Sequence, residues 1–179
     1  MNDLAMHILD ILQNSLSALA TFIKLTVFED IDNDLLVITI EDNGKGMTPE
    51  QVSKLSDPFY TSRTTRKVGM GIPLLKQSAE QSGGGVDIES KQGVGTQVTA
   101  SFKYSNIDRP PLGDVANAFI LTVSANPDVD FILRYIVGKN EYVFDTVEVK
   151  EALEGTPLND ASIVRILTDM IRDNIEDLR

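Results

Sequence analysis

Asp42-Asn43-Gly44-Lys45-Gly46-Met47, "DNGKGM", follows the apolar run "LLVITIE" of residues 35–41. Side chains alternate between the two faces of a strand, so Leu36, Ile38 and Ile40 share one side and Asp42 continues their series. A carboxylate thus points where the core belongs. An isolated buried charge is costly, so such a group has a dedicated partner. The question is which partner Asp42 has.

Before this run lies a second strand, "KLTVFE" (24–29), joined to it by the polar turn "DIDND". After it, "TPE" opens a short helix, with Pro49 suited to a first helical position. Residues 56–71 read as a loop, and a helix from Ile72 to Ser82 stops at Gly83-Gly84-Gly85. "VDIES" and "TQVTASFKY" then alternate as strands around the turn "KQGVG". Thr96 shares its parity with Val98, Ala100 and Phe102, so its hydroxyl points inward and can meet Asp42 from a neighbouring strand. One hydroxyl fills little of a carboxylate's acceptor capacity. A ligand amine fills the rest, and an aminopurine supplies one. Gly44 and Gly46 let backbone approach a flat ring closely, and Met47 can pack on it.

The first 20 or so residues read as a helix, with Ile8, Ile11, Leu12, Ser15, Leu19 and Phe22 on one stripe. Asp10, Asn14 and Ser17 form a polar stripe beside it. Taken alone, that stripe fits a solvated face. It also fits a hard-cation site, in which Asn14 gives an amide oxygen to Mg²⁺ held by substrate phosphates and Asp10 accepts a proton. Pro58 to Ala79 contains no acid but carries Arg63, Arg66, Lys67 and Lys76. It includes Gly69-Met70-Gly71-Ile72-Pro73, a glycine turn entering a helix, where exposed N–H groups suit phosphates. By itself this is also an ordinary helix entry.

Composition narrows the classes. The 179 residues include 42 % hydrophobic and 24 % charged positions, a globular balance. No apolar run approaches a membrane span, and the start lacks the basic residues and cleavage site of a secretory signal. Cysteine is absent, which fits a cytoplasmic protein without disulfides or thiolate metal sites. Sixteen basic residues against 27 acidic ones give a net charge of -11, which argues against binding nucleic acid or anionic membrane.

In order, "DILQNSLSA", "EDNGKGM", "DPFYTSR", "GMGIPLLK" and "GVGTQVTASF" resemble the histidine-kinase-like ATPase family. That family includes catalytic domains of sensor histidine kinases, gyrase B subunits, mismatch-repair ATPases and a heat-shock chaperone. The resemblance covers roughly residues 4–103. It implies an α+β fold: a two-layer sandwich with a mixed sheet covered by helices on one face, binding Mg-ATP under a flexible lid. By position, Asp42 would bind the adenine amino group, assisted by Thr96 and Gly46, and Asn14 would hold Mg²⁺. Phe59 would flank the lid, while Gly69 and Gly71, with Met70 between them, would lie at the phosphates. Asp10 stands where hydrolytic members carry Glu and many sensor kinases carry Asn. His7, the only histidine, lacks the surroundings of a phosphoacceptor and is expected to be a surface or pairing residue.

The ATP-binding unit is expected over 1–107, and a C-terminal α+β extension of unknown role over 108–179. "SNIDRPPLGD" is the linker candidate between them. Beyond it, "AFILTVSA", "FILRYIV" and "YVFDTVEV" read as strands. A final helix near 160–178 carries Ile163, Ile166, Leu167, Met170, Ile171 and Leu178 on one side. This part either forms its own appendage or extends the first sheet, and it suits partner choice or homodimer formation. The motifs resemble sensor kinases most, so the expected activity is that of a stand-alone module passing the γ-phosphate of ATP to a separate protein in signalling. An ATP hydrolase acting as a switch and a nucleotide-responsive regulator without turnover are the alternatives.

Overall fold

The computed structural model describes residues 3–55 and 71–179. Its elements are α1 (Leu4–Ser17), β1 (Phe22–Asp30), β2 (Leu35–Asp42), α2 (Pro49–Leu55), α3 (Gly71–Gln81), β3 (Gly85–Lys91) and β4 (Gly95–Lys103). They continue as α4 (Val115–Ala125), β5 (Asp130–Val137), β6 (Asn140–Asp145), α5 (Thr146–Ala152) and α6 (Ala161–Glu176).

The six strands form one sheet in the order β3-β4-β2-β1-β5-β6. β1 and β5 run parallel and the other pairs antiparallel. Alternation sets which side is buried: Ile23, Leu25 and Val27 of β1 lie beside Leu36, Ile38 and Ile40 of β2, and beside Phe131, Leu133 and Tyr135 of β5. Against these residues, α3, α1, α4 and α6 lie side by side in a second layer. Phe119 of α4 meets Phe131 and Phe144 edge-on, at ring centroid distances of 6.0 and 5.8 Å. This is the two-layer α+β sandwich with a mixed sheet that the motifs imply. Residues 108–179 add β5 and β6 to that same sheet. The "SNIDRPPLGD" segment is docked, since the N–H groups of Leu4 and Ala5 donate to the carbonyls of Pro111 and Leu112.

Three elements differ from the sequence reading. "AFILTVSA" belongs to helix α4, not a strand: Asp114 caps it by accepting from the N–H of Asn117. "YVFDTVEV" divides at Asp145, which accepts from the N–H of Val147, so β6 ends there and α5 begins. α1 ends at Ser17, short of residue 20. Leu19 takes a left-handed φ of 63° and is 78 % exposed, so the buried stripe stops at Ser15. On α6 the apolar arc is wider than the contact, burying Leu167 and Ile171 but exposing Ile166 and Met170.

Candidate functional site

Asp42 ends β2 with its carboxylate turned to the helix layer. Oδ2 accepts from Ser15 Oγ at 2.6 Å and Oδ1 from the Gly44 N–H at 2.8 Å. Among the described residues these two donors leave acceptor capacity unfilled. Thr96 lies directly opposite Asp42 across β2–β4, as expected. Its hydroxyl, however, pairs with Ser90 Oγ at 2.7 Å and not with Asp42. Ser90 Oγ also accepts the Met47 N–H at 2.8 Å, which holds the loop after Asp42 against the β3–β4 hairpin. Among the described residues, Ser15 is the side chain that bonds Asp42.

Packing explains the loop's glycines. A Cβ on Gly46, whose φ is +67°, would meet the Lys91 carbonyl oxygen at 2.0 Å, and the Gly93 N–H donates to the Lys45 carbonyl. A Cβ on Gly44 would meet Ala18 at 2.7 Å. Both glycines are required by neighbouring backbone before any ligand is considered. Asn43 is structural as well: its Oδ1 accepts from the N–H groups of Thr21 and Phe22, and its Nδ2 donates to Thr21 Oγ1.

On α1, Asp10 and Asn14 stand beside the first residue of α3. A Cβ on Gly71 would lie 3.2 Å from Asp10 Cβ and 3.8 Å from Asn14 Nδ2. The start of α3 and the polar stripe of α1 therefore share one place. Burial pushes the Asp10 carboxyl above its ordinary range. Asn14 Oδ1 is buried and has no hydrogen-bond partner among the described residues. A neutral, hard oxygen on a residue that lines a cavity is the donor chemistry that fits Mg²⁺. His7, one turn before Asp10, is buried and makes a 3.2 Å contact from Nε2 to Ser78 Oγ of α3. It is a pairing residue between two helices and not a surface one.

Asn14, Asp42, Gly46, Met47 and Thr96 line a cavity of about 210 Å³, with Ser17 at its edge. The apolar walls are Ile11, Leu55, Ile72 and Val98, and Lys45 stands at the mouth. Sequence reading missed Ser15, Lys45, Leu55, Ile72, Val98 and Ser90. Ser15 was legible as the one hydroxyl on the apolar stripe of α1. Phe59, Arg63, Arg66, Lys67, Gly69, Met70 and the lid expected around them lie outside the described residues.

Comparisons with known proteins bear on this arrangement. Sporulation kinase E of Bacillus subtilis is 30 % identical over 96 residues, 53 % of this chain and 13 % of that protein. The probable C4-dicarboxylate sensor kinase of Bacillus subtilis is 36 % identical over 70 residues, 39 % of this chain and 13 % of its own length. Sensor histidine kinase ZraS of Salmonella typhi is 28 % identical over 93 residues, covering 51 % and 20 %. The chain thus matches a small part of each of these relatives. Among solved structures, the Aquifex aeolicus MutL ATPase domain complexed with ADP aligns with a TM-score of 0.52 at 19 % identity, covering 86 % of this chain and 70 % of that one. The N-terminal domain of a DNA repair protein aligns with a TM-score of 0.60 at 16 % identity, covering 99 % and 57 %. At these identities the two structures show the fold alone. The description "Histidine kinase-, DNA gyrase B-, and HSP90-like ATPase" matches residues 2–106, more than half of the chain. The chain belongs to that family, with a nucleotide-binding domain of the kind found in sensor kinases.

Proposed function

We propose that the cavity between α1, β2 and β4 binds Mg-ATP and that the protein passes the γ-phosphoryl group to a nucleophilic side chain of another protein. The observation that carries the binding reading is the Asp42 carboxylate, incompletely paired among the described residues, in a cavity with apolar walls of Ile11, Leu55, Ile72 and Val98. An adenine amino group fills the remaining acceptor sites, and Met47 and Ile72 offer apolar surface to the ring. Asn14 would hold Mg²⁺, which when bound offsets phosphate charge. Gly71 begins α3 beside Asp10 and Asn14, so the N–H groups of that first turn suit phosphate oxygens.

In the transfer, the bond between the β,γ-bridging oxygen and the γ-phosphorus breaks, and a bond from the acceptor atom to that phosphorus forms. ADP leaves with the bridging oxygen, and the acceptor's proton goes to Asp10. A carboxyl held above its ordinary range by burial suits that proton. The likeness to sensor kinases supports a protein acceptor. The raised Asp10 carboxyl also favours a second reading, in which water is the acceptor and the protein hydrolyses ATP. Single-turnover reactions with γ-labelled ATP, with and without candidate partners, separate the two. Label on a partner supports transfer. Rapid release of free phosphate by the protein alone, lost in Asp10→Asn with binding retained, replaces transfer by hydrolysis. That loss is expected at roughly 10²–10⁴-fold.

A further inference from the structure

At the other end of the sheet, Glu29 continues the buried parity of Leu25 and Val27 and is fully buried. Oε1 accepts from Tyr104 Oη at 3.0 Å and from Arg179 Nη1 at 2.8 Å. Oε2 accepts from Tyr135 Oη at 2.7 Å and from Arg179 Nη2 at 2.9 Å. Two parallel N–H···O bonds between a planar fork and a carboxylate match the geometry of a guanidinium and of no other side-chain cation.

The acceptor half of this arrangement is fixed by contacts that do not involve Arg179. Tyr135 sits on β5 and pairs with Val27 in the β1–β5 register. Arg109 covers the Tyr104 ring at 4.9 Å from its centroid and donates through Nε to the Tyr104 carbonyl at 2.7 Å. None of these contacts involves the fork. The ligand half is different: the Arg179 side chain is 46 % exposed, against 0 % for that of Glu29. A cavity of about 190 Å³, lined in part by Tyr135, Arg172, Ile175 and Arg179, opens beside it to solvent.

We propose that Glu29, Tyr104 and Tyr135 form a guanidinium-binding site, that Arg179 is its ligand in cis, and that filling this site fastens the segment after α6 to the sheet. Carboxylate and phenols belong to the rigid sheet and its docked connection, and the guanidinium is the removable part. The site is independent of the nucleotide cavity and of any reading of it.

The test is chemical rescue in the full chain. Arg179→Ala should lower the thermal midpoint by roughly 5 °C and speed amide exchange over residues 174–179. Millimolar guanidinium chloride, far below the molar range in which it denatures, should restore at least half of that loss. Equal sodium chloride or urea should not, nor should guanidinium rescue Arg179→Ala combined with Glu29→Gln. Should Arg179→Ala not fold, Arg179→Lys serves: an ammonium makes one prong, so its midpoint should fall below wild type and rise with guanidinium. An unchanged midpoint in both variants, or rescue matched by sodium chloride, would overturn the proposal.

Discussion

Asp42 and Glu29 each place a carboxylate on the buried side of the same antiparallel pair, at opposite ends: Asp42 faces Ile23 across β1–β2 and Glu29 faces Leu36. Glu29 has four donors, including a two-pronged cation, and is itself fully buried. Among the described residues Asp42 has two donors, a hydroxyl and a backbone N–H, and it opens on a cavity of about 210 Å³. An inward acid on a strand therefore raises one question with two answers. Where the chain itself supplies the full set of donors, the acid fastens the fold. Where it supplies only part, room remains for a ligand.

Removing each acid tests that division. Glu29→Ala strands a guanidinium and two phenols, and should lower unfolding free energy in urea by about 3 kcal/mol. Its folded fraction should bind ATP within about twofold of wild type by calorimetry, because no residue of the nucleotide cavity is touched. A loss below about 1 kcal/mol would mean that water serves these groups as well as Glu29 does. Asp42→Asn should do the reverse. It presents an NH₂ to an NH₂ and should cost about 2–4 kcal/mol of ATP binding, while unliganded stability stays within about 1 kcal/mol. Unchanged affinity in the folded variant would remove adenine from the Asp42 site.

Acid separates the Glu29 end from a second buried group. Burial acts to raise the Glu29 pKa, but the Arg179 fork and the two phenols outweigh it and hold it below the ordinary 4.5. The folded state therefore binds fewer protons there than the unfolded chain. The stability Glu29 contributes is complete above about pH 4.5 and is lost as pH falls through its depressed value. His7 is also held low, chiefly by burial, from an ordinary 6.5. Its neutral form is favoured by folding, so its contribution is complete above pH 6.5 and declines below it. Stability measured against pH should thus fall in two stages, the upper removed by His7→Gln and the lower by Glu29→Gln. A single stage insensitive to both substitutions would show that other groups govern acid unfolding.

The smallest expected effect lies at the open end. Leu19 holds a left-handed φ of 63° after α1, in a turn where the Ala20 N–H reaches the Ser15 carbonyl and the Leu19 N–H the Leu16 carbonyl. Its side chain is 78 % exposed, so Leu19→Gly sacrifices little burial. Strain relief, offset partly by glycine's flexibility, should raise stability by about 0.5 kcal/mol. A decrease in the thermal midpoint would show that the leucine is held by contacts worth more than its strain.

Much of this architecture was legible. Alternation in "LLVITIE" and "TQVTASFKY" gave both strands and the inward parity of Asp42 and Thr96. The same parity in "KLTVFE" places Glu29 beside Leu25 and Val27, a signal that went unused. Its partners could not be read locally, because Tyr104, Tyr135 and Arg179 meet only once the sheet is assembled. α4 was misread for a different reason. Val115, Ala116, Ala118, Phe119, Ile120, Thr122 and Val123 are all buried, and the exposed stripe of Asn117, Leu121 and Ala125 is mostly apolar, so no polar face betrays the helical period. The available clue was aspartate at the cap: Asp3, Asp114, Asp145 and Asp160 each accept from N–H groups in the helix they precede. Thr48 and Gln51 likewise bond reciprocally at the start of α2. At the site, parity could show that Thr96 faces inward, but not that Ser90 takes its hydroxyl.

The parallel pairing of β1 with β5 joins strands more than a hundred residues apart in the chain. During synthesis, β1 and β2 can form a hairpin early, yet the other edge of β1 has no neighbour until β5 has left the ribosome. Through that interval, Ile23, Leu25 and Val27 adjoin a row of unpaired N–H and C=O groups. Such an edge is a template for another chain. The order in which the ends of this sheet appear therefore leaves the nascent protein with an open strand edge between the emergence of β1 and that of β5. A fragment ending at residue 107 would keep that edge permanently, and it should aggregate at concentrations where the full chain does not.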